Sequence, residues 1–169
     1  EALAGTSPPP DAETVITVVR PDGRRVPFRR AGQTWTALWP GVGGTLRSLP
    51  GTDGEPGGWT YRTTGGRLER YDADGRLESI ARPDGTVRRI ERDGEGRIAR
   101  VTDGNGRALS FEYTDSGRIR AVEEPSGSRY RYRYDDAGNL ASVTYPDATP
   151  GHDSDNPQRV YHYEAGAWE

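Results

Sequence analysis

The chain has 169 residues, of which 36 are Gly or Pro, while Leu, Ile, Val and Phe together number only 25. The longest stretch free of Gly and Pro is ten residues, short of the roughly 11–12 of a mean helix, and no apolar run nears the roughly 20 needed to cross a bilayer, which argues against all-helical, doubly wound and membrane-spanning helical folds. All 23 basic residues are Arg against 26 acids, the net charge is −3 and Cys is absent, so neither a general pull towards nucleic acid or membrane nor disulfide or thiolate chemistry is implied.

Residues 1–13, with Pro8-Pro9-Pro10, read as an extended linker. The start at Glu1 leads us to expect a piece of a longer polypeptide. Residues 14–58 read as an N-terminal β-hairpin followed by a Trp-containing irregular segment. The hairpin has runs at 15–19 and 24–30 about the turn Pro21-Asp22-Gly23. Trp35 and Trp39 then sit on 34–39, and 40–58 is rich in Gly and Pro and predicted irregular. Trp59 and Tyr61 open a strand that turns at Thr64-Gly65-Gly66, and repeats fill 59–146. Residues 147–158 are an inserted loop. Residues 159–169 begin a further repeat, because Val160, Tyr161 and Tyr163 resemble the strand of Tyr130, Tyr132 and Tyr134 after an eight-residue insertion.

The repeat itself has a step of 21. Gly75-Arg76-Leu77, Gly96-Arg97-Ile98, Gly117-Arg118-Ile119 and Gly138-Asn139-Leu140 form one column. Tyr71, Arg92, Tyr113 and Tyr134 form a second; Ile80, Val101, Val122 and Val143 a third; Gly85, Gly106 and Gly127 a fourth. Asp and Asn favour turns by bonding nearby backbone, and Gly supplies positive φ, so each unit reads as two short strands and two turns. Between the turns, Tyr130, Tyr132 and Tyr134 alternate with Arg129, Arg131 and Arg133, the period of a strand. Closing these turns as hairpins predicts the facing pairs Leu77 with Ile90, Ile98 with Phe111, and Ile119 with Tyr132. One detail resists a flat strand: Leu77 and Ile80 are three apart, as are Ile98 and Val101. Either a bulge re-aims one of each pair or both faces are partly covered. The predicted fold is all-β, a repeat array of antiparallel β-hairpins forming a curved ribbon.

The phrase Tyr71-Asp72-Ala73-Asp74-Gly75-Arg76-Leu77, followed by Ile80 and Pro83-Asp84-Gly85, resembles the Rhs or YD-repeat family. Tyr134-Asp135-Asp136-Ala137-Gly138-Asn139-Leu140 is a second close match, and Arg92-Asp93 and Tyr113-Thr114 are weaker ones. The family includes bacterial polymorphic toxins, cocoon components of insecticidal toxin complexes, and teneurins. The resemblance covers about 59–169 and implies a spiral β-ribbon whose hollow shell encloses a C-terminal toxin domain. It implies a non-enzymatic, exported segment at the start of that wall, with the remaining shell repeats and the enclosed toxin domain of the same parent chain as partners. Secretion-system or cell-surface proteins are further expected partners; nucleic acid and membrane insertion are not. An extracellular adhesion or glycan-binding module is the alternative.

Candidate chemistry is sparse. Asp153, Asp155 and Glu164 fall at positions 1, 3 and 12 of a calcium loop, yet Pro157 and Gln158 stand at positions 5 and 6, where Gly is needed at 6. His152 belongs to the same loop, and His162 lies between two tyrosines on a predicted strand. Gly41-Val42-Gly43-Gly44-Thr45 resembles a phosphate cradle superficially, in a chain with no Lys. Glu123-Glu124 and Asp135-Asp136 sit at turns, where acids serve structure. Tyr130, Tyr132, Tyr134, Tyr161 and Tyr163 form either a packed face or an aromatic platform for sugar or a partner strand. The sequence therefore assigns no catalytic, cofactor-binding or metal residue and no cofactor.

Overall fold

The structure, a computed structural model, describes residues 15–31, 34–39, 41, 43–53, 55–147 and 155–163. The predicted linker over 1–13 and most of the inserted loop, 148–154, lie outside the described residues. The fold is all-β and open, and no helix occurs among the described residues. The chain divides into two compact units, residues 1–87 and 88–169.

The first unit holds β1 (Val15–Val19), β2 (Arg25–Ala31), β3 (Thr34–Ala37), β4 (Thr45–Leu49), β5 (Gly58–Arg62), β6 (Leu68–Tyr71) and β7 (Leu77–Ala81). Consecutive strands pair antiparallel in chain order. β4 occupies part of the stretch predicted irregular. Leu46 explains it: one apolar side chain, 2% exposed, anchors a strand too short to register as a periodic pattern. Alternate residues turn to one face, and Val18, Val26, Phe28, Trp35, Leu46 and Tyr61 form its core, with Ile16, Ala37, Trp59 and Tyr71 packed against them. The rings of Phe28 and Tyr61 meet edge to face at 6.1 Å, and those of Trp35 and Trp59 at 5.2 Å. Phe28 and Tyr61 belong to strands three apart in the pairing order, so the sheet curls over this face. Arg20, just past β1, reaches Glu69 on β6 at 2.6 Å and closes the curl.

The second unit takes in β8 (Val87–Arg92) from Arg88 onward and continues through β9 (Ile98–Thr102), β10 (Ala108–Tyr113), β11 (Ile119–Glu123), β12 (Arg129–Tyr134), β13 (Leu140–Thr144) and β14 (Gln158–Val160). Each strand again pairs antiparallel with the next. Burial is slighter here: among the described residues Ala121, Ser142 and Val143 fall below a tenth exposed.

The register corrects two of the predicted facing pairs. Val101 faces Leu109 and Arg100 faces Ser110, one step away from a pairing of Ile98 with Phe111. Ala121 faces Arg131 and Val122 faces Tyr130, one step away from Ile119 with Tyr132. On its β6 side Leu77 faces Tyr71. The reason is the length of the turn. Nine turns bond a residue to the one four positions on, as in Asp103 N–H to the Arg107 carbonyl at 2.9 Å, leaving three residues in the loop. The third is a left-handed Gly, as in a type I turn followed by a one-residue bulge, and an odd loop shifts the pairing by one.

The resisting detail resolves in favour of a bulge. On β6 and β7, Arg70 faces Ser79 but Tyr71 faces Leu77, so Glu78 is an extra residue. The same reading makes Ala99, Arg120 and Ala141 extra on β9, β11 and β13. These four also recur every 21 residues. Because the bulge consumes one residue, Leu77 opposite Tyr71 and Ile80 opposite Glu69 share a face, although they are three apart. The bulge therefore keeps the apolar columns of each repeat on one side, where Glu69 opposite Ile80 and Arg92 opposite Ile98 are the charged exceptions.

Candidate functional surface

The motif residues hold the strands and their turns together. Nine turns carry a Gly at the third loop position with φ between +78° and +86°, from Gly23 to Gly138, a conformation that costs an L side chain roughly 1–2 kcal/mol. Two chemistries set them. In one, Thr63, Asp72, Asp93, Asp103, Thr114 or Asp135 accepts the backbone N–H four residues on, at 2.7–3.1 Å. In the other, Pro21, Pro83 or Pro125 fixes the first loop residue, and Asp22, Asp84 or Ser126 accepts the N–H two residues on. The Arg97 guanidinium holds Asp93 below the ordinary carboxylate range, the Arg107 guanidinium does so for Asp103, and the Asn139 backbone N–H for Asp135.

The tyrosines tie each repeat to the one before. The Tyr113 hydroxyl donates to the Ile98 carbonyl at 2.7 Å, and Tyr134 to Ile119 at 2.9 Å. Arg97 covers the Tyr113 ring at 4.6 Å, and Arg118 covers Tyr134 at 5.6 Å. Tyr163 donates to Leu140 at 3.1 Å. Ile98, Ile119 and Leu140 stand in one column, so Tyr163 fills the role of Tyr113 and Tyr134 after the insertion. Tyr113 with Arg97 and Tyr134 with Arg118 thus each form one joint, a connection the sequence columns list but do not reveal.

The other candidates disperse. His152, Asp153 and Glu164 lie outside the described residues, while Asp155 and His162 are exposed. No cluster of three metal-ligating side chains occurs among the described residues. In the Gly-rich loop, Gly44 donates its N–H to the Tyr61 hydroxyl at 3.2 Å, and a Cβ there would collide with the Arg62 carbonyl; Gly43 packs on Val26 and Phe28. These glycines serve close packing, and Val42 lies outside the described residues. Glu123 sits 3.8 Å from Arg129. Glu124 accepts a hydrogen bond from Tyr130 and holds that phenol above its ordinary value. Asp135 binds Asn139 through both carboxylate oxygens, whereas Asp136 is exposed, so neither acidic pair acts as a unit. Tyr130 meets Tyr145 edge to face at 6.0 Å.

One buried charge cluster stands in the first unit. Glu69, its side chain 4% exposed, receives Arg20 at 2.6 Å, Arg67 at 2.8 Å and the Tyr71 hydroxyl at 2.7 Å. Burial pushes the Glu69 carboxyl up, but the hydrogen bonds from Arg20 and Tyr71 outweigh it and hold the group below its usual value. Burial and the bond to Glu69 push the Tyr71 phenol well above its own. Every member donates to or accepts from another, so the cluster is a latch across the curl rather than a site with a vacant position.

The family model described as Teneurin YD-shell matches residues 66–154. No curated protein matches the chain. Among solved structures, a TcdB2–TccC3–Cdc42 complex is similar with 18% identity and a TM-score of 0.42, over 81% of this chain and 8% of that one. The Photorhabdus luminescens Tc holotoxin pore is similar with 19% identity and a TM-score of 0.42, also over 81% and 8%. The chain therefore spans about 8% of the length of these structures.

Proposed function

The chain belongs to the teneurin YD-shell family, and we propose that it is a non-enzymatic wall segment of a shell that encloses and helps deliver a C-terminal toxin domain of the same parent chain. The observation that carries this reading is the use of the motif residues. The Gly and Asp residues of the repeats form turns, and Tyr113 with Arg97 and Tyr134 with Arg118 form repeat-to-repeat joints, which is what a wall requires. A repeat that cannot bury its own apolar face gains stability only from its neighbours, so such segments are built by extension. The parent protein is exported and its remaining repeats continue the wall.

Protease protection tests this. In the parent protein, the C-terminal domain resists protease, and deleting residues 66–154 exposes it. Equal protection with and without the deletion overturns the role in enclosure. A glycan array separates the adhesion alternative: binding lost in Tyr132→Ala would favour it.

A further inference from the structure

A trough of about 340 Å³ lies on the outward side of β4, β5 and β6 in the first unit, lined by Thr45, Arg47, Thr60, Arg62 and Leu68. We propose that it binds the phosphate monoester group of a small organic molecule of the sugar phosphate class. The inference does not depend on the role in enclosure.

The register of β4 and β5 builds the site. Thr45 faces Arg62 and Arg47 faces Thr60, so the two guanidinium side chains stand on one diagonal and the two hydroxyls on the other. Diagonal neighbours across a strand pair are roughly 7–8 Å apart, a gap that two long side chains close around a single anion. Leu46 and Tyr61 alternate with these residues and point into the core, 2% and 4% exposed, which turns the four polar side chains outward. Leu68 faces Arg62 from β6 and supplies an apolar wall.

These groups are available. Arg47 is exposed and has no hydrogen bond or ion pair among the described residues. Arg62 is exposed and donates to a neutral group, the Gly66 carbonyl, at 3.4 Å. No carboxylate lines the trough. On the rung of Thr60, Arg70 is bound to Glu78 at 2.9 Å, so the charges of that pair meet each other. Strands β1 to β5 carry Arg25, Arg29, Arg30, Arg47 and Arg62 and no acid. The field at the trough is therefore set by neighbouring guanidinium groups although the whole chain carries −3, because charges beyond about 8 Å are largely screened at physiological salt.

Charge and size choose the ligand. A phosphate monoester carries about −1.5 to −2 at neutral pH and three acceptor oxygens. It meets two planar guanidinium forks and two hydroxyls at once. A carboxylate, a sulfate ester or a nucleic-acid phosphodiester brings one charge and leaves one guanidinium unmet. The volume lies at the lower end of the roughly 300–1,000 Å³ of small-molecule sites, which suits a phosphate with one small organic body against Leu68.

Isothermal titration calorimetry with the 169-residue chain, slightly above neutral pH, tests the proposal. The probes are glucose 6-phosphate, glucose 6-sulfate and inorganic phosphate. Glucose 6-phosphate is expected to bind about tenfold tighter than the sulfate, which has lost one charge, and about fivefold tighter than inorganic phosphate, which has no body to pack on Leu68. Arg47→Gln and Arg62→Gln, both at exposed positions, should each weaken it about tenfold without altering the circular-dichroism spectrum. Arg25→Gln, outward on β2 but outside the trough, should change it less than about twofold. No binding of glucose 6-phosphate, equal binding of the sulfate or of inorganic phosphate, or equal losses in Arg25→Gln and Arg47→Gln, the mark of a diffuse basic face, would overturn it.

Discussion

The two units begin from one strand-and-turn pattern and reach different packing. In the first, the apolar face curls on itself: Phe28, Val26, Leu46 and Tyr61 are at most 4% exposed, and Arg20 and Glu69 meet across 49 positions of sequence. In the second, the corresponding face carries Leu109, 38% exposed, and half-buried Ile98, Phe111, Val122 and Tyr132. The difference lies in the side chains that the strands present. Four aromatic rings pack in two edge-to-face pairs in the first unit, whereas the second has one such pair, Tyr130 with Tyr145, and turns Tyr113 and Tyr134 to the backbone of the preceding repeat. A core cooperates over distance. An array of joints distributes stability between neighbours, so a local lesion there should remain local.

The largest expected contrast comes from opening each unit's interior. Phe28→Ala should cost about 3–5 kcal/mol, because the fully buried ring leaves a cavity. Phe111→Ala, at a half-buried position, should cost less than half as much. Urea unfolding followed by tryptophan fluorescence, to which Trp35 and Trp59 of the first unit contribute, together with circular dichroism for the strands throughout, distinguishes the two; equal losses would erase the contrast.

The charged groups give a contrast nearly as large. Glu69→Gln leaves the largely buried Arg20 without its carboxylate, a loss of about 3 kcal/mol or more. Glu112→Gln, on an exposed pair, should cost below about 1 kcal/mol. The pH dependence follows the same logic. Glu69 is held below its unfolded value of about 4.3, so its contribution is present above that pH and is lost as pH falls through the folded value. Fluorescence-monitored acid unfolding between pH 6 and 2 should reveal this loss in the unsubstituted chain and not in Glu69→Gln. An unchanged acid transition in the variant would remove Glu69 from the account.

Smaller effects sharpen the picture of the joints. Gly96→Ala forces a methyl group on a residue at φ +79° and should cost about 1–2 kcal/mol. Gly94→Ala, in the same turn but at negative φ with open space about its Cβ, should be neutral or stabilise by up to about 1 kcal/mol. Tyr134→Phe removes the bond to the Ile119 carbonyl and should cost about 0.5–1.5 kcal/mol. Hydrogen exchange should then rise at β11 and β12 and not at β9. A rise spread evenly over the unit would mean that its repeats are not independent joints.

The step of 21, the places of the turns and the alternating strands were legible in the chain itself, because each depends on residues within a few positions of one another. A left-handed Gly, an Asp that binds the N–H four residues on and a Tyr-Arg alternation impose the same local geometry wherever they occur. Tertiary structure alone decided the rest. Whether Glu78, Ala99, Arg120 and Ala141 bulge depends on how two strands fit together, and the one-step shift of the facing pairs depends on counting the turn with its partner. The curl that brings Arg20 to Glu69 and Phe28 to Tyr61 could not be read from periodicity, since alternation specifies which side chains share a face but not how far that face bends. The bend is set by the volumes of the rings that fill it and by a buried charge latch, and these become neighbours only when the sheet has closed over them.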